Sequence, residues 1–143
     1  MKILSSIILC LIISVARAEL SVAVSPPKFA GQKADVPLAL KNNLNENVRS
    51  ARAVVFLIDD QGKVVAQGTK WIIGGLPSSS GLAVGATNVF HFVVDGPKPF
   101  PRTNLTAKVT VNRVVLENGR LADVNKDVQV KPANSESREH PPK

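Results

Sequence analysis

Apolar residues in this chain recur at every second position, in short runs closed by Gly, Pro, Asn or Asp, and no long segment shows the three-and-four spacing of a buried helix face. A period of two belongs to a strand with one dry and one wet side. Leu20 to Ser25 sets Leu20, Val22 and Val24 on one side and stops at Pro26 and Pro27. Ala34 to Leu40 turns Ala34, Val36, Leu38 and Leu40 inward, with Asp35 and Lys41 outward. Pro37 stands in the outward set and has no N–H, which predicts an exposed or interrupted strand edge. A polar turn follows, carrying Asn42, Asn43, Asn45 and Asn47.

Val48 to Ile58 is apolar on both sides, which predicts a central strand with its second face covered. Asp59 to Gly62 forms a tight turn, and the chain returns from Lys63 to about Ile73 with Trp71 as the expected large core residue. The Gly- and Ser-rich stretch from Gly74 to Thr87 is the longest connection and the expected crossing between sheets. Asn88 to Asp95 places Phe90, Phe92 and Val94 opposite His91, and the proline-rich segment Gly96 to Pro101 cannot continue a ladder. From Thr103 to Leu116 the alternation changes phase, which predicts a β-bulge near Asn112 and Arg113. Asn118 and Gly119 signal a hairpin into a last strand, Leu121 to Val130, with Ala122, Val124, Val128 and Val130 inward. Seven strands, each followed by a turn signal, predict a seven-stranded antiparallel immunoglobulin-like sandwich over residues 19–131, with a small barrel as its rival. Residues 132–143 are polar and proline-bearing and are expected to be a disordered tail.

The first eighteen residues follow a different pattern. Lys2 precedes an apolar run from Ile3 to Val15, and Ala16 and Ala18 are small at the positions a signal peptidase reads. The expectation is a signal peptide over residues 1–18, cleaved before Glu19, too short to remain as a bilayer anchor of about 20 residues. The single cysteine, Cys10, lies inside the run after Leu9, where a lipoprotein signal would want a small residue, so it reads as a small hydrophobe. Cleavage leaves no cysteine, and the exported domain must then be held by packing without disulfides. Loss of Lys2 and Arg17 lowers the formal charge of +7 by two, and the remaining cations are dispersed.

The segment Asn42 to Phe92 resembles the bacterial FxLYD-type domains, small exported immunoglobulin-like modules. The resemblance is carried by an asparagine-bearing turn, by Val55, Phe56, Leu57, Ile58 and Asp59 before a tight hairpin, and by Leu82 to Gly85 leading into Phe90, His91 and Phe92. Val55 stands where the family has Phe, and Ile58 where it has Tyr. The resemblance implies the sandwich and an exported location. It brings no catalytic residue with it.

Chemistry is sparse. Histidines number two, His91 in a strand and His140 in the tail, and no serine has the glycines of a nucleophile elbow. His91 reads as a sheet-surface residue. Asp59 and Asp60 with Asn45 or Asp95 are the candidate calcium ligands, but turn formation accounts for the first two, and calcium wants six or more oxygens. An acid-pair hydrolase built on Asp59, Asp60 and Asp95 is the residual enzyme reading. No cofactor loop is present, since Gly74, Gly75 and Gly81 precede no helix. Without Tyr, and with its Phe at alternating positions, the chain lacks the stacking platforms of a nucleic-acid binder. Trp71 and Phe100 are the aromatic candidates for carbohydrate contact, with Trp71 assigned to the core. Asn104, Leu105 and Thr106 form an N-glycosylation triplet.

The expected function is that of a non-catalytic exported module, secreted or periplasmic, without catalytic, cofactor or metal residues. It would bind a protein partner through loops or a strand edge, with Phe100 and Pro37 as contacts. An envelope polysaccharide or other anionic polymer is the alternative partner, and neither nucleic acid nor a membrane anchor is expected.

Overall fold

A computed structural model describes residues 18–77, 79–101 and 104–132. The expected signal peptide, Ala18 apart, and the tail after Pro132 lie outside the described residues. The elements are β1 (Leu20–Val24), β2 (Lys28–Ala30), β3 (Lys33–Asn42), β4 (Val48–Ile58), β5 (Val64–Ile73), β6 (Thr87–Asp95), β7 (Thr106–Leu116), a single helical turn α1 (Val124–Asp127) and β8 (Val128–Pro132). The protein is all-β, built of two sheets.

In the first sheet β3 is central. One of its edges takes β6 along Lys33–Lys41, and the other takes β1 over Leu38–Asn42 and β2 over Lys33–Asp35. Pro26 and Pro27 separate β1 from β2. β8 lies outside β1 and runs parallel to it. The second sheet is antiparallel in the order β5, β4, β7. Alternation sets the inward faces: Ala34, Val36, Leu38 and Leu40 of β3 are buried, as are Ala51, Ala53, Val55 and Leu57 of β4. Side chains of both sheets make one core. The segment between β5 and β6 carries the chain from one sheet to the other, as its Gly and Ser content predicts.

Asn42 is the one fully buried polar side chain among the described residues. Its Nδ2 donates to the carbonyls of Glu46 and Leu82, and its Oδ1 accepts from the Leu44 N–H. One amide thus ties the end of β3, the asparagine turn and the crossing segment together. The two hairpin turns close as their glycines require, with Gly62 at φ +80 and Gly119 at φ +85.

Several expectations need correction. Eight strands are described where seven were expected, because the chain resumes pairing at Lys28 after the proline break. Of the two placements expected for Pro37, the exposed edge is not found and the interrupted one is: β3 is flanked on both sides, and Pro37 falls where β1 gives way to β2, its carbonyl accepting from the Ser25 N–H. The pairing is not wholly antiparallel, since β8 joins β1 in parallel. Trp71 is not a core residue. A register shift between the pairs Ala51–Ile73 and Arg52–Trp71 lets both Ile72 and Ile73 turn inward, which leaves Trp71 on the outer face, 37% exposed. Val54, Phe56 and Ile58 share that outer face half-buried, with no further layer over them among the described residues. The bulge near Asn112 is present, as the shift between Arg52–Arg113 and Ala53–Val111. Pro132, expected in the tail, closes β8.

Candidate functional site

The last expected strand, Leu121 to Val130, is broken in two, and its break creates the site. After the Asn118–Gly119 turn the chain begins to pair back along β7. The Leu116 N–H donates to the Arg120 carbonyl, Leu121 bridges Val115, and the Ala122 N–H donates to the Val114 carbonyl. Then Asp123 stops the strand. Its carboxylate accepts from the Asn125 N–H, and its carbonyl accepts from Lys126 and Asp127. The Asp127 carboxylate closes the turn on the Asp123 N–H. Asp and Asn are helix-capping residues with little strand preference, so four residues that look alternating, Val124 to Asp127, form α1 instead, capped by Asp123. The chain leaves toward the first sheet and pairs with β1 as β8.

β7 is left with β4 on one side and, from Arg113 back to Thr106, no strand on the other among the described residues. Val114 and Leu116 point their side chains inward and their backbone groups toward the vacated position. Backbone direction and side-chain face alternate together along a strand, so the inward residues Ala107, Val109 and Val111 aim their N–H and C=O groups the same way. Beside this edge lies a groove of about 650 Å³. Leu105, Ala107 and Val109 form one wall, Val24, Pro26 and Pro27 the other, and Val130 and Pro132 line it from β8. Thr106, Lys108, Ser25 and Lys131 supply its polar groups, and among the described residues no carboxylate lines it.

The residues singled out in the sequence lie elsewhere. Phe100 is half-buried, its ring 5.4 Å from that of Phe29 and its N–H donating to the Gly31 carbonyl, so it closes a loop and is not a free aromatic platform. Pro37 is internal to the first sheet. Trp71 carries the Arg52 guanidinium 5.6 Å from its ring centre, and Gly75 packs so closely that a Cβ there would stand 2.3 Å from the indole. His91 pairs with Asp35 at 3.0 Å on the outer face of the first sheet. Asp59 is used in its own turn, accepting from the Gln61 and Lys63 N–H groups. Asp95 pairs with Lys33 at 2.8 Å, and that hydrogen bond, with the lysine charge, holds its carboxyl below the ordinary value. The aspartates considered for calcium or acid catalysis therefore do not gather, and among the described residues no three His, Cys, Asp or Glu side chains stand together as a metal group. No helix among the described residues is long and apolar enough to cross a membrane. Asn104 is exposed, just before β7.

Compared with known proteins, the chain matches no family model and none of the curated proteins. The one signal in the sequence that pointed to the open edge was the pair Asp123 and Asp127 inside an otherwise alternating run.

Proposed function

We propose that the chain is an exported, non-catalytic interaction module, an immunoglobulin-like sandwich that takes an extended segment of a protein partner along the unpaired edge of β7. The observation that carries this reading is the strand position that Arg120 to Ala122 begin to fill and the chain abandons at Asp123. An added segment gains main-chain hydrogen bonds from β7 and buries its alternate side chains in the adjoining groove. Exposed edges are a hazard that proteins ordinarily shield, and among the described residues this one is bordered by an apolar wall.

Both sheets and the core lie within residues 20–132, so the chain from Glu19 onward is the unit to test. Short random peptides selected against it are expected to perturb the amide signals of Leu105 to Arg113. Binders that map consistently to another face would overturn the assignment. Export is tested by sequencing the N-terminus of the native protein, with Glu19 expected and an intact Met1 excluding it.

A second reading, binding to an anionic envelope polymer, rests on the outer face of the second sheet. Arg52, Arg113 and Lys108 are displayed there with Trp71, and no carboxylate stands in those rows. Retention on a polyanion column should then fall as salt rises; retention that salt leaves unchanged rules this reading out.

A further inference from the structure

Resting on the β7 edge as a binding site, we propose that it selects an extended segment with medium-sized apolar residues at alternate positions and a carboxylate at the outward position opposite Lys108, running antiparallel to β7. The direction follows from Arg120 to Ala122, which already occupy the start of the same line antiparallel to β7. Antiparallel pairing is also the slightly more stable ladder. Among the described residues the stretch of β7 without a strand neighbour, Arg113 back to Thr106, corresponds to a guest strand of about 26 Å at roughly 3.3 Å per residue, and β7 lines the groove over its Val109 to Leu105 end.

Every second guest side chain enters the groove between Ala107 and Val109 on one wall and Val24 and Pro27 on the other. Those walls are aliphatic, so Val-, Ile- or Leu-sized groups fit them chemically. The intervening guest residues join the outer face of the second sheet beside Thr106, Lys108 and Thr110. Lys108 is exposed, and its ammonium makes no hydrogen bond or ion pair among the described residues. With no carboxylate lining the groove among the described residues, an opposite charge directly across from Lys108 is favoured and a like charge disfavoured.

Two other occupants fit less well. A second copy of the chain added along the same edge in register would set Lys108 against Lys108. The chain's own residues 133–143 (Ala, Asn, Ser, Glu, Ser, Arg, Glu, His, Pro, Pro, Lys) offer no apolar alternation to fill the groove.

The test uses the chain from Glu19 and three synthetic peptides of about eight residues, a length set by the slot at roughly 3.3 Å per residue. The first alternates Val with Thr and carries Glu at the central outward position. The second has Lys there, and the third is the Glu peptide N-methylated at its β7-facing amides. By calorimetry at low salt the Glu peptide should bind about five-fold tighter than the Lys peptide, the gap closing at high salt. Lys108→Glu, a surface change, should reverse the order, and N-methylation should abolish binding. Equal binding of the Glu and Lys peptides, with N-methylation still abolishing both, would overturn the carboxylate preference and leave the edge reading standing. Binding indifferent to N-methylation, or no binding by any peptide, would overturn both. A dimer that dissociates as peptide binds would assign the edge to a second copy and overturn the proposal.

Discussion

On the flank where β5 and β6 approach one another, Gly68 lies flat against the ring of Phe92, so close that a Cβ would stand 3.4 Å from it. Phe90 meets the same ring edge-on at 6.2 Å, and the Lys70 ammonium stands 5.6 Å from its centre. Phe92 is fully buried. On the opposite flank β7 and β8 diverge, and a groove remains between them. Both flanks end in strands that stand last in the described sheets, but one is plugged by an aromatic side chain, and on the other the chain turns away from β7 at Asp123. The second flank is free to carry a binding function, provided its walls are rigid.

This contrast can be broken by mutation. Phe92→Ala should cost about 4 kcal/mol, as large core truncations do, and should lower the urea midpoint sharply. Val130→Ala in the open groove should cost less than about 1 kcal/mol, because Val130 is already 36% exposed. Comparable losses at the two sites would mean that the flanks are not different in kind. Next in size, Gly68→Leu should cost about 2 kcal/mol by forcing Phe92 off its position. Urea unfolding checks it, and a neutral result would show the closed flank to be looser than its geometry implies.

Legibility in the sequence followed the same division. The strands of the core were readable because a strict period of two over Ala34 to Leu40, or Ala51 to Leu57, allows only one face to be buried. Trp71 escapes the sequence pattern because size suggests burial, while a one-residue slip in pairing, with Ile72 as the extra residue of β5 against β4, sets the face. Pro37 leaves two placements open, because a missing N–H is harmless at a sheet border or at a break in the neighbouring strand; the sequence does not distinguish them, and the pairing of β3 shows the break. The open edge of β7 was illegible as such. It exists because Leu121 to Pro132 divides its pairing between two sheets, and only the capping chemistry of Asp123 and Asp127 records that division locally.

That capping turn is the next place to press. Asp123→Ala removes the carboxylate that accepts the Asn125 N–H and should cost about 1 kcal/mol. With the turn weakened, the chain after Ala122 is freer to continue along β7, so peptide affinity for the edge should fall together with stability. Thermal melts and peptide titration on the same variant separate the two effects. Unchanged affinity in a destabilised variant would show that α1 merely connects, and that it does not keep the slot open.

The smallest effect calibrates the charge argument. Lys33 and Asp95 face each other across β3 and β6 in direct register, exposed, at 2.8 Å. They are the intramolecular counterpart of the pair proposed between Lys108 and a guest carboxylate. The Lys33 hydrogen bond and charge depress the Asp95 pKa in the folded chain, so the folded state binds this proton less readily than the unfolded state does. The resulting stabilisation is present above the ordinary carboxylate value and is lost as pH falls through the lower, folded one. Asp95→Asn should therefore be slightly less stable than the parent near neutrality, and the gap should close on acidification below that value. Urea midpoints for both proteins across this range, repeated at high salt, measure it. A gap that widens in acid would reverse the sign. A gap absent at every pH would mean that an exposed cross-strand pair on this scaffold contributes nothing, and the preference assigned to Lys108 would lose its physical basis while the backbone edge of β7 kept its own.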